Sequence, residues 1–383
     1  MLRQLCTTLK VLTAALFLSL SCTPENNGGA ASRPYYLGLT PFPFDILEIE
    51  NVYYVYDKIE TDADLIAHHF DNGIPWDEAL AGTDHTTYPD KVQGDWYFRK
   101  THTPAGHKVY VAVTPLNGMR NDLAPIWNTT GDNQPLTGTD WDGLAFNNAN
   151  VKTAYLNYCI SIIEYFDPDY FAFGVEVNLL RHQNESEWSA YVELHVATYN
   201  ALKERYPDLP LFVTLTGGDL VDDYSECDHA GQMAALGDIM DYTDYFAISI
   251  HPFFAEIPGA SIPADMFDKI FSLNTGHKPA CITETSFPAE VLIMTAYDPD
   301  ITFAGTPEKQ VEYFNLLLNE SEDLNLVFVV NFLVRDYDVL WATTLGAPED
   351  INKAWRDTGL YDEDGDARPV LDVWKTYLAR PVR

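Results

Sequence analysis

The chain has 383 residues, and its 57 Asp and Glu outnumber its 23 Lys and Arg, for a formal net charge of −34. A phosphate backbone needs a basic footprint, so this balance excludes most nucleic-acid binders and disfavours polyanionic substrates on the same ground. With 8 Trp, 23 Tyr and 20 Phe the chain has the large apolar side chains of a full core, which separates it from disordered acidic polymers.

The first residues stand apart. Arg3 and Lys10 form a positive n-region, residues 11–20 a short apolar stretch, and Ser21-Cys22 follows. About ten residues cannot cross the roughly 30 Å of a bilayer core, so 1–21 reads as a secretory signal rather than a membrane helix. A small residue followed by Cys is similar to a bacterial lipoprotein cleavage site, at which Cys22 becomes the lipidated N-terminus. Secretion without a lipid is the alternative. Residues 22–33 are then the lipidated start and a polar, Gly-containing tether, and 34–383 one folded domain. This places the protein in the bacterial cell envelope, on the periplasmic or cell-surface side of the outer membrane, held there by the lipid alone. Beyond Cys22, Cys159, Cys227 and Cys281 are widely spaced, with no CxxC pair or zinc-like Cys/His cluster. They read as small hydrophobes, and no metal or other cofactor is expected.

From Pro34 onward, β-branched or aromatic runs alternate with helical patterns. Strands are predicted at 35–41, 63–70, 108–115, 170–178, 211–216, 245–251, 279–286 and 326–334. Helical patterns lie between them at 151–166, 187–206, 229–240, 263–273 and 307–318, and a last one at 369–378. This order predicts a single-domain, monomeric α/β protein, a (β/α)8 TIM barrel. An open doubly wound sheet would carry a Gly-rich turn after its first strand, and the 37–41 stretch, LGLTP, is no GxGxxG.

Alternate residues of a barrel strand face the interior and the helices in turn. In the fourth predicted strand Phe171, Phe173, Val175 and Val177 form one bulky set, expected outward, which turns Glu176 and Asn178 inward. The sixth turns Ser249 and His251 inward, and the seventh carries Glu284 late. Catalytic residues of such barrels lie at the C-terminal ends of the strands. Two carboxylates there suit hydrolysis of a glycosidic bond: one protonated group releases the leaving oxygen, and an ionised one attacks or stabilises the anomeric carbon.

At these two motifs the chain resembles the retaining glycoside hydrolases of clan A, a (β/α)8 superfamily. FGVEVN over 173–178 is similar to the strand-four motif and ITETSFP over 282–288 to the strand-seven motif. TGLYD at 358–362 and RPVLDVW at 368–374 resemble the closing loop and helix of such enzymes. Within the clan the chain is most similar to family 53, the arabinogalactan endo-β-1,4-galactanases. The resemblance implies an O-glycosyl hydrolase that degrades a neutral, galactan-like β-linked polysaccharide or oligosaccharide, with Glu176 as acid/base and Glu284 as nucleophile. The clan has Asn before its acid/base, binding the sugar 2-hydroxyl; here Val175 stands there, pointing outward by parity, so either Asn178 reaches that hydroxyl or the substrate lacks the contact.

His251 is expected to contact the nucleophile or a sugar. His68-His69, near the end of the second strand, invites a metal reading, but metal-dependent barrels open with His-x-His on strand one, where this chain has Gly38-Leu-Thr40. A sugar contact from His69 is the better expectation. Pyranose C–H faces stack on indole rings, and Trp76, Trp127, Trp141 and Trp341 follow predicted strands. Trp76 and Trp341 are the favoured platforms, while Trp96 and Trp374 sit in helical patterns. Asp362, Asp364 and Asp366 resemble part of a calcium loop but lack its distal Glu, which favours a solvated turn. A glycan-binding lipoprotein without activity and a metal hydrolase are the competing functions.

If lipid holds the protein to the membrane, Cys22→Ala should move it into the soluble fraction on cell fractionation. Unchanged membrane association would remove the lipid anchor.

Overall fold

The computed structural model describes residues 32–225, 227–255, 261–294, 301–345 and 351–383. The signal segment and Cys22 lie outside the described residues. Within them the chain runs through eight strand–helix units. The strands are β1 (Tyr36–Leu39), β2 (Leu65–Phe70), β3 (Lys108–Val113), β4 (Tyr170–Ala172), β5 (Leu211–Phe212 and Thr214–Thr216), β6 (Phe246–Ile250), β7 (Ala280–Thr285) and β8 (Phe328–Asn331). Each is followed by one main helix: α1 (Ile49–Asp62), α2 (Asp90–His102), α3 (Ala149–Phe166), α4 (Glu185–Arg205), α5 (His229–Ile239), α6 (Met266–Phe271), α7 (Pro307–Asp323) and α8 (Val370–Leu378). An antiparallel hairpin, Val291–Met294 with Ile301–Ala304, interrupts the connection from β7 to α7.

All barrel pairings are parallel, and β1 pairs with β8, which joins the first strand to the last. The two remaining ends of the sheet are the halves of β5. Leu211 and Phe212 pair with Phe171 and Ala172 of β4, while Thr214 to Thr216 pair with Ala247 to Ser249 of β6. The interruption is at Val213, so the sheet closes through one strand and leaves no long edge. The fold is the (β/α)8 barrel expected from the sequence.

Two apolar layers follow from strand alternation. Leu65, Ala67, Tyr110, Ala112, Tyr170, Ala172, Phe212, Ala247, Cys281, Phe328 and Val330 fill the interior. Gly38 makes room there: a Cβ on it would stand 2.5 Å from Leu65 Cδ2 and 3.0 Å from Val330 Cγ2. The alternate residues pack outward on the helices, among them Leu37, Val111, Phe171, Ile248 and Val329. Cys159 and Cys281 are buried and free, and Cys227 is half-buried and free.

One strand departs from its predicted length. β4 ends at Ala172, and its continuation to Asn178 is a laced bend. Thr214 holds the bend: its N–H donates to Gly174 O (2.9 Å), its Oγ1 accepts from the Glu176 N–H (2.8 Å), and its carbonyl accepts from the Val177 N–H (3.1 Å). Glu176 sits at φ 51°, the left-handed region, which breaks strict alternation. Val175 therefore joins the interior apolar cluster, not the outward set. Asn178 starts a short helix, Asn178–Gln183, instead of ending a strand.

Candidate active site

The bend after β4 delivers Glu176 to the C-terminal mouth of the barrel. Ser249 on β6 donates its hydroxyl to Glu176 Oε1 at 2.8 Å, and the same Ser249 is the register partner of Glu284 on β7. Neighbouring strands are about 5 Å apart, so Glu284 stands beside the serine that holds Glu176. Arg120, from the loop after β3, lies 3.4 Å from Glu176 Oε2 and forks onto both oxygens of Asp71 at 2.7 Å. Asp71 follows directly on β2. Glu176, Glu284, Asp71 and Arg120 thus meet at one end of the barrel, brought there by four different strands.

Electrostatics separate the two glutamates. The Glu284 side chain is 17% exposed. Burial, then the charges of Glu176 and Asp71, push its carboxyl up to about 8 against the pull of Arg120. Two carboxylates this close in a dry site cannot both ionise freely, so the pair holds one proton near neutral pH. Glu284 is the member pushed toward protonation, while Glu176 accepts from Ser249 and lies beside the guanidinium.

His251 is 8% exposed and bonds Ser286 Oγ through Nδ1 at 2.8 Å, with Nε2 3.8 Å from Glu284 Oε1. Burial, with a smaller contribution from His69, pushes its pKa down to about 3. It faces Glu284 as a neutral imidazole, so the contact is no salt bridge at neutral pH. His69 meets the Tyr110 ring edge-on at 5.7 Å, and burial lowers its pKa to about 4. His68 lies on the opposite face of β2, bonded to Thr103 at 2.9 Å and packed on Phe166.

Several expected contacts are displaced. Asn178 is 1% exposed, and its amide is consumed by Thr216 N and O and by Gln232 Oε1, so it reaches no sugar. Trp76 is fully buried, donates to Ala124 O at 2.9 Å and stacks on Trp141 at 5.1 Å. It pins the long loop after β3 and offers no platform; Trp127 and Trp141 are also buried. Trp341 is half-buried and flanked by Lys353 and Arg356, 5.7 and 5.3 Å from its ring.

The tryptophan at the site is Trp355, in the loop after β8. Its indole N–H points at the His251 ring, 3.3 Å from Nδ1 and 3.4 Å from Nε2, with the planes at 87°. Phe254 and Phe332 pack against it at 5.2 and 6.3 Å, and Phe42 meets Phe332 at 5.0 Å. Sequence reasoning missed Trp355, Asp71 and Arg120; the available signal was their place in segments that follow strands.

Among the described residues, one group of side chains could bring three ligand atoms together: Glu290, Asp336 and Glu363. Arg368 occupies its centre, with Nη2 3.1 Å from Glu290, 3.9 Å from Glu363 and bonded to Asp336, so a guanidinium stands where a cation would. Asp362 Oδ1 accepts from the N–H groups of Asp364 and Asp366 at 3.1 and 2.8 Å, a self-satisfied turn. No described helix is long and apolar enough to cross a membrane.

No protein-family model and no curated protein sequence matches the chain. Solved structures do. An exo-β-1,4-mannosidase from Opitutaceae bacterium strain TAV5 superposes with a TM-score of 0.58 at 12% identity, over 91% of this chain and 59% of that one. The chain thus spans under two thirds of that relative's length. A variant of GH5_18 from Streptomyces cattleya, in complex with Manb1-4GlcNAc, gives 0.61 at 12% identity, over 90% and 80% of the two chains. A fungal β-1,4-galactanase gives 0.52 at 14%, over 85% and 90%. These likenesses establish the (β/α)8 fold.

The charge balance has a stability consequence. Glu284 binds its proton more tightly folded than unfolded, so the cost of ionising it is absent below about pH 4 and grows up to about pH 8. Glu284→Gln should therefore raise stability at pH 8.5 by on the order of 2 kcal/mol in urea unfolding, and leave it unchanged at pH 4. A gain equal at both pH values would contradict the buried charge.

Proposed function

We propose that the protein is a retaining glycoside hydrolase that cleaves a neutral β-linked glycan, with Glu176 as acid/base and Glu284 as nucleophile. The observation that carries this reading is the meeting of two glutamates, Glu176 held by Ser249 and Glu284 on the next strand beside that serine, at the C-terminal mouth of a closed barrel. Glu284 attacks the anomeric carbon while Glu176 gives a proton to the departing oxygen; Glu176 then takes a proton from the water that releases the glycosyl–enzyme. For the first step Glu176 must carry the proton and Glu284 must be ionised, against the burial that raises its proton affinity.

The lining suits a polyhydroxylated ligand. Among the described residues Thr40 Oγ1, His69 Nε2, Thr216 Oγ1 and Asn331 Oδ1 are buried without a hydrogen-bond partner. These residues lie at or just beyond the ends of β1, β2, β5 and β8, and buried polar atoms are seldom left unpaired without a purpose. Trp355, with Phe254 and Phe332, supplies the apolar wall on which a pyranose face stacks. A galactan-like substrate is favoured by the sequence resemblance to family 53 and accords with the galactanase neighbour. The lipid anchor at Cys22 would hold the enzyme in the cell envelope.

A second reading rests on the raised proton affinity of Glu284: as the acid it would protonate the leaving oxygen, and Glu176 beside Arg120 would attack, exchanging the two roles. Activity on galactan, mannan and glucan identifies the substrate; activity unchanged by chelator would exclude a metal hydrolase, and chelator-sensitive activity would favour one. On an activated aryl glycoside, Glu176→Ala should form its glycosyl–enzyme readily and lose at least about a hundred-fold in the hydrolytic step, with azide restoring turnover and giving a glycosyl azide of retained configuration. Glu284→Ala should lose turnover on every substrate. Azide rescue of Glu284→Ala with retained product would exchange the roles, and binding without turnover would leave a glycan-binding barrel. Asp222 and Asp223, in the loop after β5, are exposed, the latter paired to Lys269 at 2.8 Å, and neither belongs to this pair.

A further inference from the structure

Arg120 is held unusually firmly for a loop residue. It takes a left-handed conformation (φ 55°) in a turn closed by its own N–H to Asn117 O at 2.9 Å. Asn117 and Asn121 lace the same turn, Nδ2 to Oδ1 at 2.8 Å and Oδ1 from the Asn121 N–H at 3.1 Å. The guanidinium is 6% exposed. Its strong contacts go to both oxygens of Asp71 (2.7 Å each) and to Asn117 O (3.1 Å), and only Nη2 reaches on to Glu176, at the longer 3.4 Å.

We propose that Asp71 and Arg120 form a positioning dyad that aims Glu176 and sets its proton affinity, Asp71 withholding part of the arginine's charge from it. An unshared arginine beside a carboxylate holds it firmly ionised. With Asp71 in the fork the dyad is close to neutral, and Glu176 feels a weak donor and a dipole rather than a full positive charge. Glu176 can then take up a proton when the reaction requires one. This deepens the proposed reaction and rests on it for its purpose, though the charge arrangement itself does not depend on a substrate.

The other polar groups of the barrel interior near the two glutamates leave the dyad as the main cationic influence on Glu176. From β7 comes Glu284, which opposes ionisation; from β6 the neutral Ser249 hydroxyl, and His251, kept neutral by burial. β2 contributes His69, also kept neutral, and β3 contributes Tyr110, whose phenol burial keeps protonated. β5 contributes Thr214, bonded to the Glu176 backbone N–H.

The test is a carboxyl carbon-13 NMR titration of the full protein labelled at glutamate, Glu176 being assigned by loss of its signal in Glu176→Gln. Asp71→Asn leaves the arginine unshared and should lower the Glu176 midpoint by about one pH unit, a ten-fold fall in proton affinity. Arg120→Met should raise it by at least as much, and Arg120→Lys, which keeps the charge but loses the fork, should shift it less than the Met variant does. Opposite movements support the dyad; no movement, or movement in one direction, overturns it. Should Arg120→Met fail to fold, the isosteric Asp71→Asn decides alone, and an unmoved midpoint there overturns the proposal. The titration needs no turnover, so the expected shifts in a protein inert on every glycan would overturn the proposed reaction and leave the dyad standing.

Discussion

The repulsion between two carboxylates at one dry barrel mouth is the constraint around which the site is arranged. Placing Glu176 and Glu284 on either side of Ser249 is unfavourable unless one is protonated or countered, and the structure does both. Arg120 counters Glu176, and Asp71 counters Arg120. The neutral histidines fit the same logic. A second full positive charge would quench the pair's shared proton, and burial at His69 and His251 prevents it.

Such an arrangement needs a stiff frame, since a charge pair that costs stability would otherwise relax apart. The closed sheet provides it: Asp71, Glu176, Ser249 and Glu284 each stand on, or within a few residues of, a strand paired on both sides. The left-handed backbone at Glu176 is held by three hydrogen bonds to Thr214 alone, so the local strain is met by the neighbouring strand. The aromatic wall is built differently, from loops after β1, β6 and β8 that meet only once the barrel has closed.

What could be read from the sequence follows from this division. Barrel strands alternate in their burial because one face meets helices and the other the interior, so β1 to β8 and most helices were legible. β4 was misjudged beyond Ala172 because a single left-handed residue resets the alternation, and no composition signal marks a glutamate in that conformation. That one bend turned Val175 inward and moved Asn178 from the expected sugar contact into a buried amide network. Trp76 failed as a platform because its indole N–H found the Ala124 carbonyl, 48 positions on in the loop after β3. Arg120 and Asp71 lie 49 positions apart and become partners only through the closure of two loops, information that spacing does not carry.

The central claim is that Glu284 attacks the sugar and Glu176 supplies the proton, and covalent trapping addresses it most directly. A set of 2-deoxy-2-fluoro β-glycosides with activated leaving groups, in the galacto, gluco and manno series, slows release of a glycosyl–enzyme enough for peptide mapping by mass spectrometry. The account predicts a single fluoroglycosyl adduct on the peptide containing Glu284, absent from Glu284→Gln. An adduct on the Glu176 peptide, or intact enzyme that turns over substrate with no adduct in any series, would contradict it.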